Sequence, residues 1–206
     1  MLGATQQHVN SVPPVEKNGS FVSIDAVIQS SDLQTFVTRP NSDRIHRFLS
    51  YWMALRGSHP LPRRSDLDPL AIPSVLNGIW LITVDTDTNS FHSRLAGEAV
   101  NRFFGRTMAG SDIADALPER AMEPLHTQLR RVRDNGCMLL EQGNLLRPDG
   151  ATIRGERLLA PFATAAGDAG VTVDHIVGVT IASGPVSRPK LARTATPTRL
   201  YEVPLL

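Results

Sequence analysis

Residues 78–84, GIWLITV, are apolar on both faces of any strand that they form. Side chains alternate between the two faces of an extended chain, so Ile79 and Leu81 share one face while Trp80, Ile82 and Val84 share the other. A strand without a polar face cannot leave one side in water. The segment therefore predicts a sheet strand that the rest of the chain covers on both sides.

The elements around this strand define the fold class. Upstream, residues 41–43 are typical of a helix start, and the apolar stripe that follows at helical spacing indicates one amphipathic helix ending near Gly57. The stripe consists of Ile45, Phe48, Leu49 and Trp52. Downstream come a second strand (91–95), short helical pieces, an amphipathic helix (119–135) and three strands near 138–146, 152–161 and 174–182. This order predicts an α+β fold: a five-stranded antiparallel sheet with short helices on one face and an N-terminal helical extension.

The limits of the domain follow from the same patterns. Residues 42–183 are expected to form one domain, with leading helices in residues 42–76. Residues 1–40 lack strong periodicity and are interpreted as a mobile N-terminal arm. Residues 184–206 form a tail rich in Pro, Ser and Thr, a composition that is typical of disorder.

Composition excludes several classes of protein. The 206 residues carry a net charge of +1, whereas a dedicated nucleic-acid binder normally has a basic excess. The first residues, MLGATQQHVN, lack the features of a signal peptide, and the apolar run 79–84 is too short to span a membrane. Cys137 is the only cysteine, which rules out an internal disulfide. We therefore expect a cytoplasmic protein.

Two longer motifs resemble a known family. Residues 48–85, FLSYWMALRGSHPLPRRSDLDPLAIPSVLNGIWLITVD, are followed by RLAG, AVNRFFG and TMAGSDIADAL in residues 94–117. Together they resemble the PAS domain superfamily, in particular a bacterial subfamily of stand-alone PAS proteins, over residues 44–182. The resemblance implies a role in sensing or signalling and does not name a ligand.

The expected function is that of a non-catalytic sensory or regulatory module in signal transduction. A small molecule or a protein partner would occupy the space between the sheet and the short helices, and an unidentified signalling protein would receive the signal. We expect seven residues to form the walls of that space: Trp80, Phe91, Phe103, Phe104, Met122, Leu125 and Leu129. The leading helix with Trp52 is a candidate surface for a homodimer.

Two alternatives stay open from the sequence. One is a sensor that holds haem or flavin, with His126 on the amphipathic helix as the candidate haem ligand. Cys137 lacks the flavin-adduct motif of light-sensing PAS relatives, and the histidines show no spacing typical of a metal site. The other alternative is a small enzyme with a cone-like pocket, which needs a titratable group inside it. The sequence does not identify a cofactor.

Charged residues in the connector and the strands suggest ion pairs. Arg94 is predicted to pair with Asp66 or Asp68, in the connector that also carries Arg63; anion binding is the alternative role for this group. Glu141 and Glu156 lie on strands predicted to pair, and cross-strand salt bridges with Arg154 and Arg157 are expected.

Two further groups have a structural interpretation. The arginines of the amphipathic helix are interpreted as a solvated face, with an acidic partner as the alternative. These are Arg120, Arg130, Arg131 and Arg133. Gly97, Gly105 and Gly110 lack the spacing of a phosphate-binding loop and are interpreted as helix ends and turns.

Overall fold

The computed structural model describes residues 24–164, 171–187 and 198–206, and these form a mixed α+β fold around one sheet. Eight strands are ordered β1-β8-β5-β6-β7-β2-β3-β4. All neighbouring strands are antiparallel except β1 and β8, which are parallel. The strands are β1 (Ile24–Gln29), β2 (Ile79–Asp85), β3 (Ser90–Ala96), β4 (Ser111–Asp112), β5 (Cys137–Leu146), β6 (Thr152–Phe162), β7 (His175–Ser187) and β8 (Thr198–Pro204).

The described residues also form five α-helices, which pack around the sheet. They are α1 (Leu33–Phe36), α2 (Asp43–Arg56), α3 (Glu98–Phe104), α4 (Ile113–Ala116) and α5 (Glu119–Asn135). The connector after α2 contains three 3₁₀ turns: Arg64–Asp66, Pro69–Ala71 and Leu76–Gly78. No continuous helix forms between the second and third of these turns, because Pro73 cannot donate a helical hydrogen bond.

One face of the sheet, called the inner face, carries Trp80, Arg157 and Thr180. Helices α3 and α5 cover it: the Phe103 ring of α3 lies over Arg157, and His126 of α5 contacts Phe91. The interleaved aromatic and aliphatic side chains form one buried cluster that reaches from α3 across to β5. The inner layer is therefore helical, as the sequence predicted.

The opposite face, called the outer face, is covered by α2. Glu156, next to Arg157 on β6 and so on the other side of the strand, accepts hydrogen bonds from Asn41 and Ser42 at the start of α2. The predicted stripe of α2 is buried, and Trp52 donates a hydrogen bond to the carbonyl of Pro161 over 3.1 Å. Trp52 itself is buried inside the fold, and the homodimer surface expected on this helix stays a prediction.

Two segments outside the expected domain belong to the sheet. The structure differs here from the predicted arm and tail, because β1 lies within residues 1–40 and β8 lies within residues 184–206. Strand β8 pairs with β5 along its length, and Tyr201 and Val203 are buried. The predicted five strands are β2, β3, β5, β6 and β7, and β1, β4 and β8 extend them. Residues 1–23 and 188–197 lie outside the described residues.

Gly97 marks the corner between β3 and α3. A Cβ atom at this position would lie 2.3 Å from the carbonyl oxygen of Leu76, so only glycine allows the connector to approach this closely. Gly105 ends α3 in a left-handed conformation. Both glycines therefore have the structural role expected from the sequence.

Candidate ligand-binding site

Arg157 is the central residue of the inner face. It lies in the middle of β6 and is only 5% exposed. Its guanidinium lies 5.1 Å from the centre of the Phe103 ring and 5.8 Å from that of Phe104. The faces of aromatic rings attract cations, so the two phenylalanines of α3 stabilise the buried charge. Helix α3 thus lies over a cation that the sheet presents.

Among the described residues, only one of the three nitrogens of this guanidinium has a partner. Nη1 lies 3.4 Å from Oε2 of Glu141, which is directly opposite on β5. Burial lowers the pKa of Arg157, and the negative charge of Glu141 offsets part of this decrease. Within the described residues, the Nε and Nη2 groups of Arg157 have no hydrogen-bond partner. A buried donor that stays unpaired costs about 1–3 kcal/mol, so these two groups require a partner.

Four more buried polar atoms on the same side of the sheet share this property. Among the described residues, none has a hydrogen-bond partner: Trp80 Nε1, Ser93 Oγ, His126 Nε2 and Thr180 Oγ1. Register places Thr180 directly opposite Arg157, and Trp80 opposite Gly178. Buried polar groups in folded proteins are nearly always paired, with protein or with another molecule. The inner face is therefore a candidate site for a molecule that pairs with these groups.

The indole of Trp80 lies across Gly178. A Cβ atom at Gly178 would lie 1.9 Å from Trp80 Nε1, which no packed side chain tolerates. The same indole contacts Phe104, with ring centres 5.5 Å apart. Trp80 and Arg157 therefore both contact Phe104, and their unpaired groups belong to one region.

His126 and Cys137 were the residues considered for a cofactor. Burial lowers the pKa of His126, and its ring packs edge-on against Phe91 with centres 5.1 Å apart. Cys137 lies at the start of β5, and burial raises the pKa of its thiol to about 12. A protonated thiol is a poor nucleophile, so Cys137 does not suit a covalent adduct. In the described part of the chain, no three His, Cys, Asp or Glu side chains are grouped to hold a metal ion.

A cleft of about 220 Å³ opens at the surface next to this region. It lies beside β7 where that strand runs past the start of β2, with Phe103 and Thr180 among its walls. Three arginines from different elements also line it: Arg44, Arg102 and Arg147. The ion pairs found between described residues do not include Arg44 or Arg102, so the cleft has a positive wall.

The expected wall residues lie together in or against one hydrophobic cluster. Six are buried, and Met122 is half-buried at its margin. The buried six are Trp80, Phe91, Phe103, Phe104, Leu125 and Leu129. Phe103 lines the cleft, and Trp80 carries one of the unpaired groups. Whether the seven contact a ligand stays a prediction.

The predicted pair between Arg94 and the connector does not form. Arg94 is the extra residue of a bulge in β3, is exposed, and donates to Thr83 Oγ1 over 3.2 Å. The carboxylate of Asp68 instead accepts from the backbone of Leu70, and that of Asp66 accepts from Ser65. Arg63 is exposed and bridges to Ala163 through its backbone. The ion pairs of the described residues join Arg94 to neither aspartate.

Of the predicted salt bridges in the last strands, one forms. Arg157 pairs with Glu141, whereas Glu156 lies on the outer face and holds Asn41, Ser42 and Gln142 rather than Arg154. Glu141 and Glu156 therefore do not face each other. The sequence treated Arg157 only as an ion-pair partner. The signal that could have singled it out is its alternation with Leu159, which places both on a buried face.

The arginines of α5 are engaged within the protein. Arg130 pairs with Glu123, Arg131 with Glu202, and Arg133 with Asp134. Arg133 also lies over the Phe91 ring, 5.5 Å from its centre. The side chain of Arg120 lies outside the described part of the structure. Three of the four arginines therefore pair with acids of this chain, which leaves less charge for an acidic partner.

Comparisons with known proteins bear on the family. A family sequence model described as PAS domain matches residues 41–179. No curated protein matches the chain. Similar solved structures include an RNA-binding light-oxygen-voltage receptor, with 20% identity and a TM-score of 0.35 over 59% of this chain and 36% of that chain. A LOV protein from Rhodobacter sphaeroides has 18% identity and a TM-score of 0.37, over 54% of this chain and 64% of that chain.

A third structure, a PAS domain of an HTR-like protein from Haloarcula marismortui, is 15% identical with a TM-score of 0.31, over 53% of this chain and 87% of that chain. The chain spans less than two thirds of the length of the first two structures. In the described residues, no helix is both long enough and apolar enough to cross a membrane.

Proposed function

The chain belongs to the PAS domain family, and on that premise we propose that it is a non-catalytic sensory module that binds a small molecule on the inner face of its sheet. The observation that carries the proposal is the set of buried polar groups around Arg157 that the described residues leave without partners. A bound molecule would supply those partners. The cleft beside β7 supports access to these groups. Thr180, which carries one of them, and Phe103, which covers Arg157, both line the cleft.

Binding would act on α3 first. Phe103 and Phe104 pack on the Arg157 guanidinium, so a ligand that pairs with Arg157 changes what these rings contact. The altered packing of α3 and α5 on the sheet would then favour one of two arrangements, which an unidentified signalling protein reads. A homodimer and a cytoplasmic location belong to the same proposal and rest on the sequence expectations alone.

The haem alternative is favoured by one observation: the buried Nε2 of His126 has no hydrogen-bond partner among the described residues. A neutral imidazole nitrogen is a good ligand for iron, and burial favours the neutral form. A coloured purified protein whose absorption is lost on His126→Phe would favour this alternative over a colourless ligand.

Native mass spectrometry of the full chain tests the proposal. We expect a mass above that of the polypeptide which disappears when the protein is denatured, or a thermal shift with members of a small-molecule panel. A protein that keeps the bare polypeptide mass and responds to no compound would contradict ligand binding. The same spectra report the oligomeric state of the protein together with the ligand. Partner candidates added to the sample would show whether a complex forms.

A further inference from the structure

We propose that the inner face binds a small carboxylate, held by the Nε–Nη2 edge of Arg157. The inference rests on the proposed function, since it names the chemical class of the molecule that would occupy that site. It follows from which atoms of the site lack partners, from the charge around them and from the apolar walls.

The geometry of the guanidinium selects the ligand. Nη2 is the terminal nitrogen on the same side as the Nε–H bond, so these two groups offer parallel N–H bonds along one edge. These are the two groups of Arg157 without partners among the described residues, while Nη1 is directed at Glu141. A carboxylate accepts two parallel N–H bonds at once, in the bidentate arrangement that gives the strongest arginine pairs.

Two of the other unpaired groups, on Trp80 and Thr180, suit an acceptor as well. The indole Nε1 of Trp80 is a donor only, as are all nitrogens of Arg157. The hydroxyl of Thr180, directly opposite Arg157, donates or accepts. A ligand that completes these groups must therefore bring acceptor oxygens, which a carboxylate has and an amine lacks.

The charge around the site favours an anion. Arg44, Arg102 and Arg147 line the cleft, and Arg157 lies behind its Phe103 wall. In the part of the chain that the structure describes, the ion pairs of these four guanidinium groups are with Glu141 beside Arg157 and Asp149 beside Arg147. A cleft with an excess of one charge raises the local concentration of the opposite one.

The size and polarity of the walls favour a small organic acid over phosphate. The cleft measures about 220 Å³, and Phe103 and Phe104 flank the guanidinium with apolar ring faces. A dianion loses more hydration than a monocarboxylate when it is buried among apolar groups. A carboxylate with a compact apolar body would pair its oxygens with the edge of Arg157 and pack its body against the rings beside it.

Binding of defined probes to the full chain tests the inference. Isothermal titration and thermal shifts would be measured with acetate, benzoate, succinate, inorganic phosphate and benzamide, the neutral counterpart of benzoate. We expect at least one carboxylate to bind, with benzamide at least about tenfold weaker than benzoate. Arg157→Lys keeps a cation beside Glu141 but loses the parallel edge, and should weaken carboxylate binding by about tenfold or more.

Arg131→Lys is the matched control, because Arg131 pairs with Glu202 on β8, two strands away in the sheet. It should leave carboxylate binding unchanged. Equal binding of benzamide, tighter binding of phosphate, unchanged binding in a folded Arg157→Lys variant, or no binding by any carboxylate would each overturn the inference. If native mass spectrometry still finds a neutral ligand, the proposed function stands and the carboxylate alone is wrong; if it finds none, both fail.

Discussion

Arg157 and Glu141 stand directly opposite each other on β6 and β5, both buried, and are joined by one contact of 3.4 Å. The contact is long for a buried ion pair, and it uses one of the three guanidinium nitrogens. Two charges have thus been removed from water with little direct compensation between them. Such a pair lowers the free energy of unfolding unless other groups compensate for the hydration that the charges have lost. Here the rings of Phe103 and Phe104 do so by contacting the Arg157 cation.

Glu141→Gln should strongly destabilise the protein. The substitution keeps the shape of the side chain but leaves the buried Arg157 cation without its only carboxylate contact among the described residues. Removing one partner of a buried pair lowers the free energy of unfolding by about 3–5 kcal/mol. Because the contact is long, we expect a loss of about 3 kcal/mol. Urea denaturation measures it. The matched control is Glu123→Gln, which breaks the exposed pair with Arg130 and should cost less than about 1 kcal/mol. Equal losses would contradict the importance of burial.

Gly178→Ala should destabilise the protein through the indole of Trp80. The added Cβ would lie 1.9 Å from Nε1 and 2.4 Å from Cε2, two atoms of a rigid buried ring. Overpacking of this kind costs about 1–3 kcal/mol. Thermal or urea denaturation of the single variant gives the loss, and near-ultraviolet circular dichroism reports the displaced indole.

A double-mutant cycle with Trp80→Phe isolates this contact. The smaller ring relieves the clash, so Gly178→Ala should cost less in the Trp80→Phe background than in the wild type. Purely additive effects of the two substitutions would show that the cost of Gly178→Ala arises elsewhere in β7.

The sequence predicted what depends on local periodicity. The stripe Ile45, Phe48, Leu49 and Trp52 is buried because its spacing repeats with the helix turn. The strand at residues 79–85 is covered on both faces because neither of its faces is polar. Periodicity alone does not place the helices between β3 and β5; that position was predicted from the resemblance to the PAS family.

The features that the sequence did not predict depend on strand register and on how deeply a side chain is buried. Arg94 was predicted to pair with Asp66 or Asp68 of the connector, but one extra residue in β3 makes a bulge that turns it toward Thr83. Strand β8 follows a Pro-rich segment whose composition indicates disorder, and composition does not report that residues 198–204 fit against β5. The edge of Arg157 that the described residues leave unpaired arises from how α3 and β5 cover it, which no linear pattern encodes.

The stability of the protein should fall with rising pH because of Cys137. Burial, and then the charge of Glu202, raise the pKa of its thiol to about 12, whereas an unfolded cysteine titrates near about 8.5. A group whose folded pKa is raised contributes its full stability below the unfolded value and loses it above. The loss attributable to Cys137 therefore lies between about pH 8.5 and 12. Urea denaturation at pH 8 and pH 10 should show a larger decrease for wild type than for Cys137→Ala, and equal decreases would contradict the raised pKa.

Glu156→Gln should loosen α2 from the outer face. The carboxylate accepts from the backbone and side chain of Asn41, both over 2.8 Å, and from the backbone of Ser42 over 2.9 Å. Ser42 itself makes no side-chain cap, so β6 supplies the anion at this helix start. Glutamine puts a donor against these donors, and the expected cost is about 1–3 kcal/mol. Hydrogen exchange should speed up in α2 more than in α5, while the exposed control Glu98→Gln, in α3, leaves both unchanged; uniform acceleration in α2 and α5 would contradict a local role.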